Sequence, residues 1–398
     1  MNEERLRRDL AELADEVTMV DLRERSLRMS RRLGIQRALA SSVAVLVVVG
    51  AITGAAVAVR PHPDGPAPLP ADTPSPPVSV TPNVPVLSSS AVALRAGQLG
   101  RIVYGPLDVT DRTVLETDQQ TTVPADLWSW QPGVAPSRLL SLPEVAAVAN
   151  ATVSPDGRRI AWVEMDDNGV WGLVVANADG SDKSWMVSQV NHLCLAPTWS
   201  PDSRRLLFWE NLPDVGPGRY GVLDTATKTV RWWSGDRNRG GCYAAWSADG
   251  GTIAMHTSDF TITLYDVTGR KLREVPDHGG FGAWLCFAVV SASPDGSRLA
   301  VVRFATGDDG PGKGPGDLPG QNLWANALID SRTGKEITLP LGGRELLQVF
   351  FRADGSMVVR VRSGHGTVLL LIDKAGRPVG EVGEPTELTA MQIVGVTG

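Results

Sequence analysis

A short turn signature recurs along this chain and constrains its fold more than any other feature. It reads Ser154-Pro155-Asp156-Gly157, Ser200-Pro201-Asp202-Ser203, Ser247-Ala248-Asp249-Gly250, Ser293-Pro294-Asp295-Gly296 and Arg352-Ala353-Asp354-Gly355. From their first positions (154, 200, 247, 293 and 352) the copies lie 46, 47, 46 and 59 residues apart. A period of this size marks a repeat architecture, in which each unit buries its apolar face only against its neighbours. Pro at the second position presets φ for a type I turn, Asp accepts from nearby backbone N–H groups, and Gly closes the turn.

Each copy is followed by an apolar strand pattern, at residues 159–163, 205–209, 252–256, 298–302 and 357–361. A third strand pattern then runs into an Asp/Gly or Asp/Thr turn, and a fourth follows, as at 229–233 and 271–275. Strand, tight turn, strand, repeated to four strands per unit, is the blade pattern of a β-propeller. The expected class is all-β, with six blades over residues 91–398. Residues 101–104 and 127–130 open a degenerate first blade, and five signature-bearing blades follow. The apolar stretch 390–396 has no unit of its own, so it is expected to supply the innermost strand of blade one and close the ring. Closure removes the unpaired edges that invite aggregation.

Trp199-Ser200-Pro201-Asp202 followed by Arg205-Leu206-Leu207-Phe208 resembles the WD-like repeats of TolB-type propellers. Ser154-Pro155-Asp156-Gly157 with Ile160-Ala161-Trp162, and Ser293-Pro294-Asp295-Gly296 with Leu299-Ala300-Val301, do the same. The resemblance covers about residues 95–398 and implies the fold, which hosts many activities. Such repeats also resemble the propeller of prolyl-oligopeptidase-like enzymes, but no hydrolase domain is expected beyond the last blade.

Before the ring, residues 1–37 read as a helical cytoplasmic tail, with Leu6, Leu10, Leu13 and Val17 on one helical stripe. Arg25, Arg28, Arg31, Arg32 and Arg37 precede residues 38–59, which are 22 positions without a charge. That length spans a bilayer, and the arginine excess puts the N-terminus in the cytoplasm. A cleaved signal peptide is the rival reading, since Ala56-Val57-Ala58 imitates a cleavage site. Residues 60–90 form a Pro-rich spacer, with ten prolines between 61 and 86. The expected product is a single-pass membrane protein with an extracytoplasmic propeller. Only six of its 38 basic residues are Lys, as in a GC-rich bacterial gene.

Strand alternation places the signature turns on one face of the ring. The long segments 211–218, 234–241, 276–282 and 307–320 fall on the other. Binding residues favour loops held on a rigid frame, so this second face is the expected ligand surface. Its candidates are His192, Cys194, Arg237, Arg239, Cys242, His278, Cys286, Asp308, Asp309 and Lys313. Cys194, Cys242 and Cys286 stand in like positions of successive blades. Three readings stay open for them: a disulfide such as Cys194–Cys242, three small buried residues, or soft-metal ligands with His192 or His256. Trp232 and Trp233 are consecutive on a strand, so one must point away from the layer the other packs into, which makes the pair an exposed aromatic candidate.

Net charge −6 offers no basic footprint for nucleic acid. Residues 307–313 imitate a phosphate loop, but Gly314 stands where Ser or Thr would hold magnesium. The five His form no zinc-hydrolase pattern and no Gly-x-Ser-x-Gly elbow occurs. Asp166-Asp167-Asn168-Gly169 and Asp179-Gly180-Ser181-Asp182 read as hairpin turns rather than calcium loops. The expectation is a non-enzymatic binding, scaffold or sensor module without cofactor or metal. Its expected partners are the lipid bilayer and a protein, peptide or glycan ligand. The alternatives are an anti-sigma-like transducer whose residues 1–37 hold a cytoplasmic regulator, and an unrecognised propeller hydrolase or lyase.

Overall fold

A computed structural model of the chain describes residues 93–94, 97–109, 123–192, 196–210, 218–233, 243–257, 259–279, 282–306, 324–364 and 366–398. The expected tail, span and spacer (1–37, 38–59 and 60–90), with the flanking Arg28, Arg31, Arg32 and Arg37, lie outside these residues. Among the described residues no helix is long and apolar enough to cross a membrane.

The repeat folds as its spacing demands. Six antiparallel sheets follow one another along the chain. Blade two, for example, is Thr152–Val153, Arg159–Met165, Trp171–Asn177 and Ser184–Ser188 in chain order. Six buried apolar clusters each join one sheet to the next, the sixth joining blade six to blade one, so the sheets form a closed ring. Blade one combines both ends of the ring. Gln392–Thr397 pairs with Arg101–Gly105, with Ile102 opposite Val396 and Tyr104 opposite Ile393. That is the closure expected for the C-terminal strand.

The signature owes its recurrence to a shared set of hydrogen bonds. The Ser154 hydroxyl is fully buried, accepts from Arg159 N–H at 2.9 Å and donates to Asp156 Oδ1 at 2.6 Å. Asp156 Oδ1 also takes Arg158 N–H at 3.0 Å, and Gly157 turns the chain at φ +69°. Ser200, Ser247 and Ser293 repeat this arrangement. Ser203 holds the glycine place in blade three at φ 59°, where its Oγ accepts Asp156 N–H from the neighbouring blade at 3.0 Å. In blade six, where Arg352 replaces the serine, Ser356 supplies the hydroxyl to Asp354 instead. Replacing Ser200 with Ala removes the acceptor of the half-buried Arg205 N–H. The expected cost is ~1–3 kcal/mol, read as a lowered urea midpoint.

These carboxylates make the ring acid-labile. Partial burial pushes the Asp295 carboxyl up, but hydrogen bonds from Ser297 and Ser293 outweigh it and bring it from 3.8 to about 2. In Asp156 and Asp202 burial is likewise overcome, by Ser154 or Ser200, by backbone N–H groups and by neighbouring arginines. A carboxyl held low in the folded state stabilises it above the ordinary value, and that stability is lost as pH falls through the folded value. The urea midpoint should therefore drop between about pH 4 and pH 2. Asp295→Asn should flatten that drop.

A second repeat is made by arginines. The arginine that opens the second strand of one blade lies over the aromatic ring that ends the first strand of the next. Arg159 covers Trp199 at 5.0 Å, Arg205 covers Trp246 at 5.3 Å, and Arg298 covers Phe351 at 5.2 Å. Arg159 also reaches Ser203 O and Thr225 Oγ1, both in the next blade. Each such cation–π contact is worth ~0.5–2 kcal/mol and ties adjacent sheets at the signature face.

Two features depart from the expected four-strand rule. Blade five has three strands, Trp284–Ala292, Arg298–Ala305 and Ala327–Asp330. Its fourth shrinks to one bridge between Ile329 and Glu336, because Pro340 and Gly342-Gly343 follow and cannot extend a ladder. Between blades one and two, Ala146–Asn150 forms a buried helical turn that no sequence period announces. Upstream of blade one, Ala93 pairs in parallel with Glu381 on the outer strand of blade six.

Candidate ligand-binding face

The loop face of blades four and five carries a row of half-buried aromatic rings. Phe260 sits in the turn between Thr252–His256 and Ile262–Asp266, and its ring centre lies 4.8 Å from that of Phe287. Phe287 in turn meets Phe304 edge-on at 5.2 Å. Cys286 N–H donates to Phe260 O at 3.0 Å, which ties the blade-four turn to the inner strand of blade five. Phe260 itself is held at φ 62°. For a bulky side chain this left-handed conformation costs ~1–2 kcal/mol, and such strain gathers at working sites.

Beside this row lies a pinned arginine. Arg303 is 4% exposed, its guanidinium is 3.9 Å from the Trp284 ring, and it pairs with Glu336 at 2.5 Å. Glu336 is 57% exposed at its side chain, so the pair opens toward solvent at one end. Asn326 fixes the strand beneath, donating to Arg303 O at 2.6 Å and accepting Arg303 N–H at 2.9 Å. Aromatic rings and arginine together are the composition favoured at the centres of protein interfaces.

The candidates read from sequence fall into three groups. Cys194, Arg237, Arg239, Cys242, Asp308, Asp309 and Lys313 lie outside the described residues, and with them the Cys194–Cys242 disulfide. His192, His278 and Cys286 are at the loop ends of their blades, but buried. His192 stacks flat on Trp171 at 3.7 Å, and His278 Nδ1 donates to Pro276 O at 2.8 Å. Burial pushes His278 below its usual range and His256 down to about 4, so both stay neutral near pH 7. Cys286 is a free, buried thiol pushed up to about 12 by burial, and it packs as a small core residue.

Trp232 and Trp233 are half-buried rather than exposed. They do point to opposite sides of their strand, but each side faces a neighbouring blade. Trp232 meets Phe208 at 5.5 Å under Arg219, whose guanidinium is 3.8 Å from the ring. Trp233 lies 5.1 Å from Tyr220 and 5.2 Å from Tyr265. In a ring of sheets both faces of a strand are inside, so two consecutive aromatics each pack against a neighbouring blade. The hairpin carboxylates are occupied by their own turns: Asp166 accepts from Asn168 and Val170 N–H, and Asp179 from Ser181.

On the ring axis the inner strands line a half-open pocket of about 170 Å³. All six blades line it, through Val153, Trp199, Ala244, Val289, Phe350 and Val394 among others.

No family model matches the chain, and no curated protein matches it. Solved structures do. TolB from Acinetobacter baumannii is 18% identical, with a TM-score of 0.46 over 74% of this chain. The chain covers 65% of that TolB chain. The β-propeller domain of the Trilobed protease from Pyrococcus furiosus is 15% identical, with a TM-score of 0.39 over 66% of this chain and 79% of that one. A chain of a Nidogen/Laminin complex is 11% identical, with a TM-score of 0.40 over 75% and 98%. Likeness at this distance carries no ligand or activity across.

Proposed function

We propose that the protein is a membrane-anchored binding module that presents its propeller outside the cytoplasmic membrane and captures a protein or peptide on the loop face. It works without chemistry of its own. The reading rests on Phe260, an aromatic side chain kept at a strained backbone position where its ring extends the row through Phe287 and Phe304. A glycine would relieve that strain, so the ring is retained against stability. The charge-free residues 38–59 and the arginines before them supply the anchor and its orientation.

The test is selection of a displayed random-peptide library on the full-length protein. Binders should carry aromatic or aliphatic residues. Phe260→Gly and Phe304→Ala should each weaken the selected binders by about tenfold or more, as loss of an interface anchor does. Phe260→Gly should keep the native urea midpoint or raise it, because the lost ring contacts are offset by the relieved backbone. Failure to enrich any binder, or equal binding by Phe260→Gly, overturns the proposal.

A further inference from the structure

The geometry points to a second, separate binding site, for a free aliphatic α-amino acid, in the cleft between blades three and four. The arginines that tie adjacent blades show why a cleft opens there. Arg101 donates to Gly157 O of the next blade, Arg159 to Ser203 O and the Thr225 hydroxyl, and Arg298 to Gly355 O and Lys374 O. Thr225 and Lys374 each follow an Asp at the end of a third strand. In blade four that place is held by Val267, after Asp266, and valine has no hydroxyl to offer. Arg205 is the arginine at this junction. Its guanidinium donates no hydrogen bond among the described residues, and its ion contact is with Asp202 of its own turn, at 3.5 Å.

The half-open cleft beside Arg205 has a volume of about 490 Å³. Arg205, Val222, Asp224 and Arg231 line it from blade three, and Val267 from blade four. Asp224 pairs opposite Arg205, and Val222 opposite Arg231, so these four side chains share one face of the sheet. Asp224 Oδ1 accepts Ala226 and Thr227 N–H at 3.0 and 2.9 Å, which leaves Oδ2 open. The backbone N–H of Thr227, with that of Ala226, holds the Asp224 carboxyl below its usual range, so it is charged near pH 7. An α-amino acid meets this wall charge for charge. Its carboxylate takes the N–H groups of Arg205 and Arg231, its ammonium takes Asp224 Oδ2, and its side chain lies on the two valines. A plain carboxylate would stand beside Asp224 and be repelled, as a plain amine would be beside the two arginines. The site does not depend on the loop-face proposal, since none of the Phe260, Phe287 and Phe304 rings lines it.

The test is calorimetric titration of the full-length protein with leucine, 4-methylpentanoate and 3-methylbutylamine, the last two lacking the ammonium and the carboxylate. Leucine should bind, and each of the others at least ~10-fold more weakly. Arg205→Gln should weaken leucine by about tenfold or more. Asp224→Asn keeps an acceptor for the turn and should bring 4-methylpentanoate level with leucine. Phe260→Gly should leave leucine binding unchanged. Absence of leucine binding up to about 10 mM overturns the inference. So does 4-methylpentanoate binding the native protein as tightly as leucine, or undiminished leucine binding by a folded Arg205→Gln. Should that variant fail to fold, the ranking of the two acids in Asp224→Asn decides.

Discussion

Replacing Arg360 with Ala is expected to destabilise the protein by ~3–5 kcal/mol, the largest effect of any single side chain. Arg360 is buried to 1% exposure, and its ion pair with Glu384, at 2.8 Å, has both side chains fully out of solvent. Glu384 also accepts from Tyr104 Oη at 2.6 Å, and burial beside that carboxylate pushes the phenol up. The guanidinium donates further to Gln348 Oε1, Met391 O and Leu388 O at 3.1, 2.6 and 3.2 Å. Gln348 Nε2 completes the network by donating to Ile393 O at 3.0 Å. Removing the arginine leaves a buried carboxylate without its cation and takes away the donor to Met391 O. The measurement is the urea midpoint of Arg360→Ala against the native protein. A double variant, Arg360→Met with Glu384→Met, should recover part of the loss, because no lone charge then stays buried.

Ending the chain at Ala390 should have a still larger effect. It removes the inner strand of blade one, whose five paired positions run from Arg101–Thr397 to Gly105–Gln392. It also removes Met391 O and Ile393 from the Arg360 network and exposes the edge of Arg101–Gly105. The loss should exceed the ~5–15 kcal/mol that holds a typical domain together, so the truncated chain should lack a cooperative unfolding transition. Its bare edge should drive association. A monomeric, cooperatively unfolding truncation product would refute the closure mechanism. Adding residues 391–398 back as a peptide should restore part of the transition.

The two predictions share a lesson about what was legible beforehand. The ring, its signature turns and its closing strand could be read because each is a local pattern at a fixed period: a Ser hydroxyl and an Asp carboxylate bond their own turn. The Arg360 network could not be read, because Gln348, Arg360 and Glu384 come from three separate stretches of blade six and Tyr104 joins them only when the ring closes. The Phe260, Phe287 and Phe304 row was missed for the same reason, since three strand ends from two blades meet there. His192, His278 and Cys286 were placed at the right end of their blades, but burial, which sequence does not state, takes them off the surface. The one available signal for the site was Phe260 in a hairpin turn, Asp259-Phe260-Thr261, where a small or polar residue is usual.

The sharing of blade one between distant segments also sets an order of events during synthesis. Ile102 emerges from the ribosome early, yet its inner neighbour Val396 is made almost three hundred residues later. Blades two to six can form as they appear, while the first waits with an open flank. Contacts so far apart in the chain fold slowly, so ring completion is the late step of folding and the one that chaperones have most time to assist.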